Sequence, residues 1–415
     1  MGAAYEALLA RLLPARRFGV VLGLERIRAL LDRLGAPDRR LGTVVHVGGT
    51  NGKGSTVAMI AALVSHGDPQ ARVATYTSPH LSCLRERISI SGELIDEATL
   101  VAAADRVRAA GGDELTFFEQ LTAIAAVAIA DANVDVTVLE VGLGGRLDAT
   151  NAIDAQIAVV TGVAMDHEAI LGATLTEIAG EKAGIFKPGQ RVVIGASGEP
   201  AAVSVLRARA AIAANVTVID EAAIARVPPV ALPGAHQRRN AAAALAALDH
   251  LEALGVVQVS AAARGQALAA LRHPGRFEVV GDIILDGAHN PHGAAALAAA
   301  VTERGLRPVL VIAVSADKDV RGIASALAPV VCAVVATRYQ QERALAPEKL
   351  AAIFGALGIP TEQAPDLAGA LALALARAQG APVLVAGSLF LIGEARILLL
   401  GAPADPFVVT DPPVR

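Results

Sequence analysis

The residues of this chain best suited to chemistry are Gly49-Thr50-Asn51-Gly52-Lys53-Gly54-Ser55-Thr56. They lie between the β-branched run 44–47 and the apolar, alanine-rich run 57–64. A buried strand that stops at glycines and resumes as a helix is an arrangement that cradles polyphosphate. Glycines let backbone N–H groups close on the anion, the helix N-terminus adds partial positive charge, and lysine reaches the outer phosphates. Ser55 or Thr56 is placed to bind a magnesium ion. The loop departs from the regular G-x-x-x-x-G-K-[ST] at two points: Val47 stands where the first glycine belongs, and Gly54 separates Lys53 from Ser55. Taken alone it also reads as a glycine-rich turn.

A second set is Glu140-Val141-Gly142-Leu143-Gly144-Gly145-Arg146-Leu147-Asp148-Ala149-Thr150-Asn151. Glu140 closes a hydrophobic strand, and open α/β sheets put ligands at the carboxyl ends of their strands, where a carboxylate serves magnesium. The glycines allow close backbone approach, and Arg146 with Asp148 is placed to clamp an anionic substrate. The plain alternative is a glycine turn with a surface ion pair. His167 follows the end of another strand and is a candidate metal ligand, or equally a structural histidine. Two further stretches are complete as structure: Lys182 sits among the cations, glycine and proline of a helix C-terminus, and Thr116-Phe117-Phe118-Glu119 fits the capping box. In the second half, Asp286, His289 and Asn290 end a strand in a polar turn, and 315–319 repeats that arrangement.

These residues need a frame. Leu24, Ile27, Leu30, Leu31 and Leu34 recur at helical spacing ahead of Gly35, a C-cap. Strands are expected at 72–75, 88–90, 135–141, 157–161, 191–194 and 216–219. Helices are expected after the glycine loop, from Asp96, from Thr116, and over 174–183, 200–214 and 238–254. Such alternation predicts a mostly parallel sheet covered on both faces. The segment 271–276 is punctuated as a linker, and strands near 277–285, 308–314, 330–336 and 382–386 predict a second, smaller α/β unit. The fold class is therefore α/β with two domains, 1–275 and 276–415.

The whole chain narrows the function classes. Its 415 residues exceed one ordinary core, and 54% hydrophobic against 18% charged residues describes a globular protein. A net charge of −4, no tryptophan and 3% aromatic residues argue against nucleic acid as a partner. No apolar run reaches the length of a membrane span, and charges at Glu6 and Arg11 interrupt the N-terminus. Two cysteines, Cys83 and Cys332, suit a reducing compartment, so a cytoplasmic enzyme is expected.

In order, the motifs G-T-N-G-K-G-S-T (49–56), T-S-P-H-L (77–81) with R-E-R-I (85–88), and E-V-G-L-G-G-R-L-D-A-T-N (140–151) resemble those of folylpolyglutamate synthase/dihydrofolate synthase, in the Mur ligase superfamily. D-H-x-x-x-L-G (166–172), E-K-A-G-I (181–185), D-G-A-H-N-P (286–291) and D-K-D (317–319) extend the resemblance, which runs from about Gly19 to Arg396. It implies a two-domain ligase: an N-terminal phosphate-loop domain and a smaller Rossmann-like C-terminal domain. ATP activates the carboxylate of dihydropteroate or a reduced folate as an acyl phosphate, and L-glutamate attacks it. Residue by residue, it implies that Gly52, Lys53, Gly54 and Ser55 hold the phosphates, with Asn240, Arg276, Asp286 and His289 as further ATP contacts. ATP would then bridge the domains. Ser78 and Glu140 would serve one magnesium, and His167 with a carbamylated Lys182 a second; Lys53, His167 and Lys182 form the catalytic set. Thr116, Phe117, Phe118 and Glu119, with Leu147, Asp148 and Ala149, match the pterin-binding segments. The partners expected are these small molecules, with no nucleic acid or membrane and a monomeric chain.

Cys83-Leu84, where the family usually has an aromatic, and Met165, where leucine is usual, are the departures. A Mur ligase acting on a peptidoglycan precursor would carry a further N-terminal domain, and only about 40 residues precede the loop. A nucleotide switch or a small-molecule kinase would release ADP without an acid and an amine both present.

Overall fold

The computed structural model describes residues 2–18 and 23–406; Gly19 lies outside them. The first sheet is built from β1 (Thr43–Gly48), β2 (Val73–Tyr76), β3 (Ile88–Ile90), β4 (Glu93–Leu94), β5 (Val136–Glu140), β6 (Ile157–Val160), β7 (Arg191–Ile194) and β8 (Asn215–Val218). Its order is β4-β3-β2-β5-β1-β6-β7-β8, parallel except where β2, β3 and β4 pair antiparallel. Val, Ile and Leu fill β1, β5 and β6, and these strands are buried on both faces, as helix-covered parallel strands must be. β1 lies between β5 and β6, with Val47 paired to Glu140 and Gly48 to Val160. The loops that follow these three strands therefore leave the sheet side by side at its carboxyl edge.

The helix Phe117–Asp131 is apolar all round and buried all round, as its sequence requires. Thr116 starts it: its hydroxyl accepts from the Glu119 amide at 3.3 Å, and Glu119 Oε2 accepts from the Thr116 amide at 2.9 Å. Leu121, Ile124, Val127 and Ile129 anchor the core on this side of the sheet. A second cluster, including Ile178, Ile185, Phe186 and Leu206, packs over β6 and β7.

The second sheet comprises β9 (Glu278–Val280), β10 (Ile283–Leu285), β11 (Val309–Ile312), β12 (Ala333–Ala336), β13 (Thr361–Gln363) and β14 (Val383–Ala386), in the order β13-β12-β11-β14-β10-β9. The stretch 277–285 holds two strands, a β9–β10 antiparallel pair around Gly281. β13 was not anticipated, because Thr-Glu-Gln carries no apolar pattern to mark it. The helix expected over 200–214 is shorter, Ala202–Arg209 followed by a 3-10 turn. The chain divides into two compact units. One takes residues up to Ala231, Arg238–Leu271 and Asp405; the other takes Leu232–Gln237 and Arg272–Ala404. Among the described residues, no helix is long and apolar enough to cross a membrane.

Ile124, 1% exposed at the middle of the buried helix, gives a direct test of this core. Ile124→Ala is expected to lower stability by about 2–5 kcal/mol, read as a shift of the urea midpoint. An unchanged midpoint would mean that this helix is not interior.

Candidate active site

Every turn of the glycine loop is braced by the segment that follows β6. Thr161 Oγ1 donates to Asn51 O at 2.7 Å and lies 3.3 Å from Gly48 O, and the Thr50 amide donates to Gly162 O at 2.9 Å. Thr50 Oγ1 also donates to Ala164 O and accepts from the Ala164 amide. Gly49 lies at φ +141°, and a β-carbon there would fall 2.0 Å from Thr161 Oγ1. Gly52, at φ +85°, precedes the helix Lys53–Gly67 and lies against Asn240, whose Oδ1 would be 2.4 Å from a β-carbon. Asn240 Oδ1 is itself held by Ser197 Oγ at 2.7 Å. Gly52, Lys53, Gly54, Ser55 and Asn240 are thus brought together, with Ser55 buried.

Two amines converge on one carbonyl. Lys53 Nζ donates to Gly49 O and Thr50 O, each at 3.2 Å, and Lys182 Nζ reaches the same Gly49 O at 3.2 Å. Lys182 ends the helix Leu175–Lys182 and is only 5% exposed. Burial, and after it the charge of Lys53, pushes its pKa down to about 7; Asp166 and Asp148 pull the other way. Part of Lys182 is therefore a neutral amine near neutral pH.

Glu140, 5% exposed, ends β5 beside the glycine loop and accepts from the Ser78 amide at 3.2 Å. His167 adopts φ +51°, with its Nε2 3.9 Å from Asp166 Oδ1. Among the described residues, no three His, Cys, Asp or Glu side chains gather as a self-sufficient metal site. Magnesium bound in company with a nucleotide needs only one or two carboxylates, with phosphate oxygens and water supplying the rest. The donors Glu140 and Ser78 fit such an ion.

The two segments expected to hold substrate are neighbours. A β-carbon on Gly142 would lie 2.5 Å from the Phe118 ring, so 116–119 packs on the loop after β5. That loop is seated on the Lys182 helix: a β-carbon on Gly145 would meet Glu181 O and Lys182 O at 2.9 Å, and the Arg146 amide donates to Glu181 O. The anion clamp read from Arg146 and Asp148 does not form. Arg146 pairs with Glu181 at 2.5 Å, while Asp148 is buried and accepts from the amides of Leu143 and Thr150. The turn must satisfy its own backbone N–H groups, and Asp148 is the nearest acceptor. Leu147 is half-buried and Ala149 buried.

Glu119 differs from an ordinary capping residue. Its Oε2 accepts from the Thr116 amide, the Thr116 hydroxyl and Arg26 Nη2 (2.7 Å), whereas Oε1 is buried with no hydrogen-bond partner among the described residues. A buried, unsatisfied carboxylate oxygen needs an explanation, and a ligand N–H would supply one. Arg26 was missed because its helix was read for apolar spacing alone. Gly49 stands in the loop motif as a glycine, but the use of its carbonyl, like the bracing by Thr161, has no residue-type signal.

In the second unit, Arg276, Asp286 and His289 gather after β10. A β-carbon on Gly287 would lie 2.5 Å from Arg276 Nη1, Asp286 accepts from the amides of Phe277 and Ala288 at 2.9 Å, and His289 Nδ1 lies 2.8 Å from Gly287 O. Burial raises the Asp286 pKa and Arg276 opposes the rise.

Residues 47–220 match the Mur ligase middle domain, and residues 275–389 match the Mur ligase glutamate ligase domain. The chain is 38% identical to a dihydrofolate synthase/folylpolyglutamate synthase of Mycobacterium tuberculosis, over 80% of this chain and 77% of that protein. It is also 38% identical to a probable bifunctional folylpolyglutamate synthase/dihydropteroate synthase of Haloferax volcanii, over 93% of this chain; there it spans 49% of the relative's length. The structure is similar to M. tuberculosis folylpolyglutamate synthase complexed with ADP, with TM-score 0.85, 35% identity and coverage of 96% and 100%. A bifunctional folylpolyglutamate synthase/dihydrofolate synthase with Mn, AMPPNP and L-glutamate bound gives TM-score 0.80 at 30% identity, covering 94% and 98%.

The shared carbonyl makes one lysine sensitive to the other. Lys53→Ala removes a charge that lowers the Lys182 pKa, so Lys182 should titrate above its wild-type value of about 7. Acetic anhydride labelling of Lys182 across pH, read by mass spectrometry, measures this. An unmoved titration would assign the depression to burial alone.

Proposed function

The chain belongs to the folylpolyglutamate synthase/dihydrofolate synthase family of Mur ligases, and on that premise we propose that it joins L-glutamate to a pterin or folate carboxylate using ATP. The observation that carries this reading is the meeting of Lys53 and Lys182 at Gly49 O, one strand from Glu140. It sets one cationic lysine, one lysine able to lose its proton and a metal-type carboxylate around the place where phosphates end on a glycine loop. A carboxylate at neutral pH is a poor acylating agent. Its oxygen attacks the γ-phosphorus, ADP departs, and an acyl phosphate remains. The glutamate amine then attacks the carbonyl carbon, loses a proton, and phosphate leaves as the amide forms. The protein's share is positioning and charge neutralisation.

In this reading the amides of 52–55 cradle the phosphates, and Lys53 offsets the charge that develops on the transferred group. Asn240 serves the nucleotide, with Arg276, Asp286 and His289 as its further contacts. Ser78 and Glu140 hold one divalent cation. His167 and Lys182 hold another, Lys182 as its carbamate, formed when the neutral amine adds carbon dioxide and releases a proton. The bound cations supply charge stabilisation to the phosphates. The depressed Lys182 pKa supports the carbamate, since only the neutral amine adds carbon dioxide. The orphaned Glu119 Oε1 supports pterin recognition by 116–119, because a carboxylate oxygen accepts from the amino and ring N–H groups of a pterin. Phe118 offers an apolar wall beside it, and Leu147 and Ala149 flank the same loop. Residues 1–275 then carry the ATP and pterin functions, and 276–415 the glutamate-ligase half. Unpaired Cys83 and Cys332 support a reducing, cytoplasmic setting.

The test is ADP release by the purified chain with ATP, magnesium and L-glutamate, with dihydropteroate, with a reduced folate, or with neither. Release is expected only when an acid and glutamate are both present; glutamate-independent release would overturn the ligase reading. Lys53→Ala is expected to lose ligation. Carbon-13 NMR under labelled carbon dioxide is expected to give a carbamate signal that grows as pH rises through about 7 and is absent in Lys182→Ala. Full ligation by Lys182→Ala would remove the carbamate from the mechanism.

A further inference from the structure

One buried polar chain lies outside the roles above. His46, on β1 between Val45 and Val47, is 1% exposed, and its Nε2 lies 2.8 Å from Thr150 Oγ1. Thr150 Oγ1 in turn donates to Asp148 Oδ1, which also accepts the Thr150 amide at 3.0 Å. A hydroxyl has one proton, so with that proton on Asp148 the Thr150 oxygen meets His46 as an acceptor, and Nε2 carries the hydrogen. Burial keeps the ring neutral, its pKa pushed down to about 3, with Lys187 adding to the effect. Asp148 Oδ2 accepts from the Leu143 amide at 2.8 Å. The chain His46–Thr150–Asp148–Leu143 therefore closes the loop 143–150 at both ends and ties it to the strand that feeds the phosphate loop.

We propose that His46 is a positioning residue for the acid substrate: through Thr150 it fixes Asp148 and holds 147–149 in the shape that receives the pterin. This rests on the placement of 147–149 against substrate made above. A histidine flanked by valines in a buried strand gives up packing, and among the described residues the Thr150 bond is what repays its burial. The phosphate loop has its own braces at Thr161 and Thr50, so disturbing this chain should reach the acid substrate and spare ATP.

Thr150→Val keeps the shape and removes the hydroxyl. It is expected to raise KM for the pterin acid about tenfold or more, with KM for ATP held near wild type. Thr150→Ser should restore the wild-type value, and His46→Gln, which keeps an N–H donor, should fall between. Unchanged pterin KM in Thr150→Val would overturn the proposal. So would a loss in which both KM values rise while kcat and Tm fall and serine fails to rescue, since that describes a purely structural bond. Nitrogen-15 NMR of histidine and hydrogen exchange at the Leu143 amide read the chain without turnover. The expected results are a neutral Nε2–H tautomer in wild type and faster Leu143 exchange in Thr150→Val. If wild type turns over no pterin acid, the proposed function fails; if the tautomer is Nδ1–H or Leu143 exchange is unchanged, the positioning chain fails.

Discussion

The carbonyl of Gly49 is the point on which the first unit's chemistry rests. It takes hydrogen bonds from Lys53, at the start of one helix, and from Lys182, at the end of another. Burial first, and the charge of Lys53 second, press Lys182 to give up its proton. The carbonyl is available to both only because Gly49 adopts φ +141° hard against Thr161, where no β-carbon fits. A conformation open to glycine thus offers a hydrogen-bond acceptor to a lysine 133 residues away in sequence.

From that point the constraints spread through backbone contacts. The carbonyls of Glu181 and Lys182 carry the loop after β5, which lies beneath Phe118, and Phe118 belongs to the first turn of the buried helix. Side-by-side departure of the loops from β5, β1 and β6 makes these contacts possible, and it follows from strand order.

Strand and helix alternation, the glycine loop and the Thr116 cap were legible because each depends on local residue type: β-branched runs, glycine beside lysine, threonine three ahead of glutamate. Family motifs pointed to Lys182, which its local pattern left as an ordinary helix-end residue, and favoured the metal role that strand-end placement had left open for His167. Invisible were groups whose role depends on what the fold brings near. Asp148 read as half of an anion clamp and proves to be its own turn's acceptor. Arg26 looked like any surface arginine until the fold set it on Glu119. His46 stands in the strand just ahead of the glycine loop, but its partner, Thr150, is 104 residues away.

The capping box at Thr116 and Glu119 has a consequence for how such a chain can diverge. One oxygen of Glu119 secures the first turn of the most buried helix, and the other stands unengaged at the same spot. A substitution at 119 that altered ligand choice would also unfasten the helix, so that position is closed to gradual change. Phe118 fastens no helix turn with its side chain: its half-buried ring covers Gly142 and lies beside Tyr76, with ring centroids 6.1 Å apart. New preferences would therefore arise by reshaping position 118, with 119 passed down unaltered from one descendant to the next.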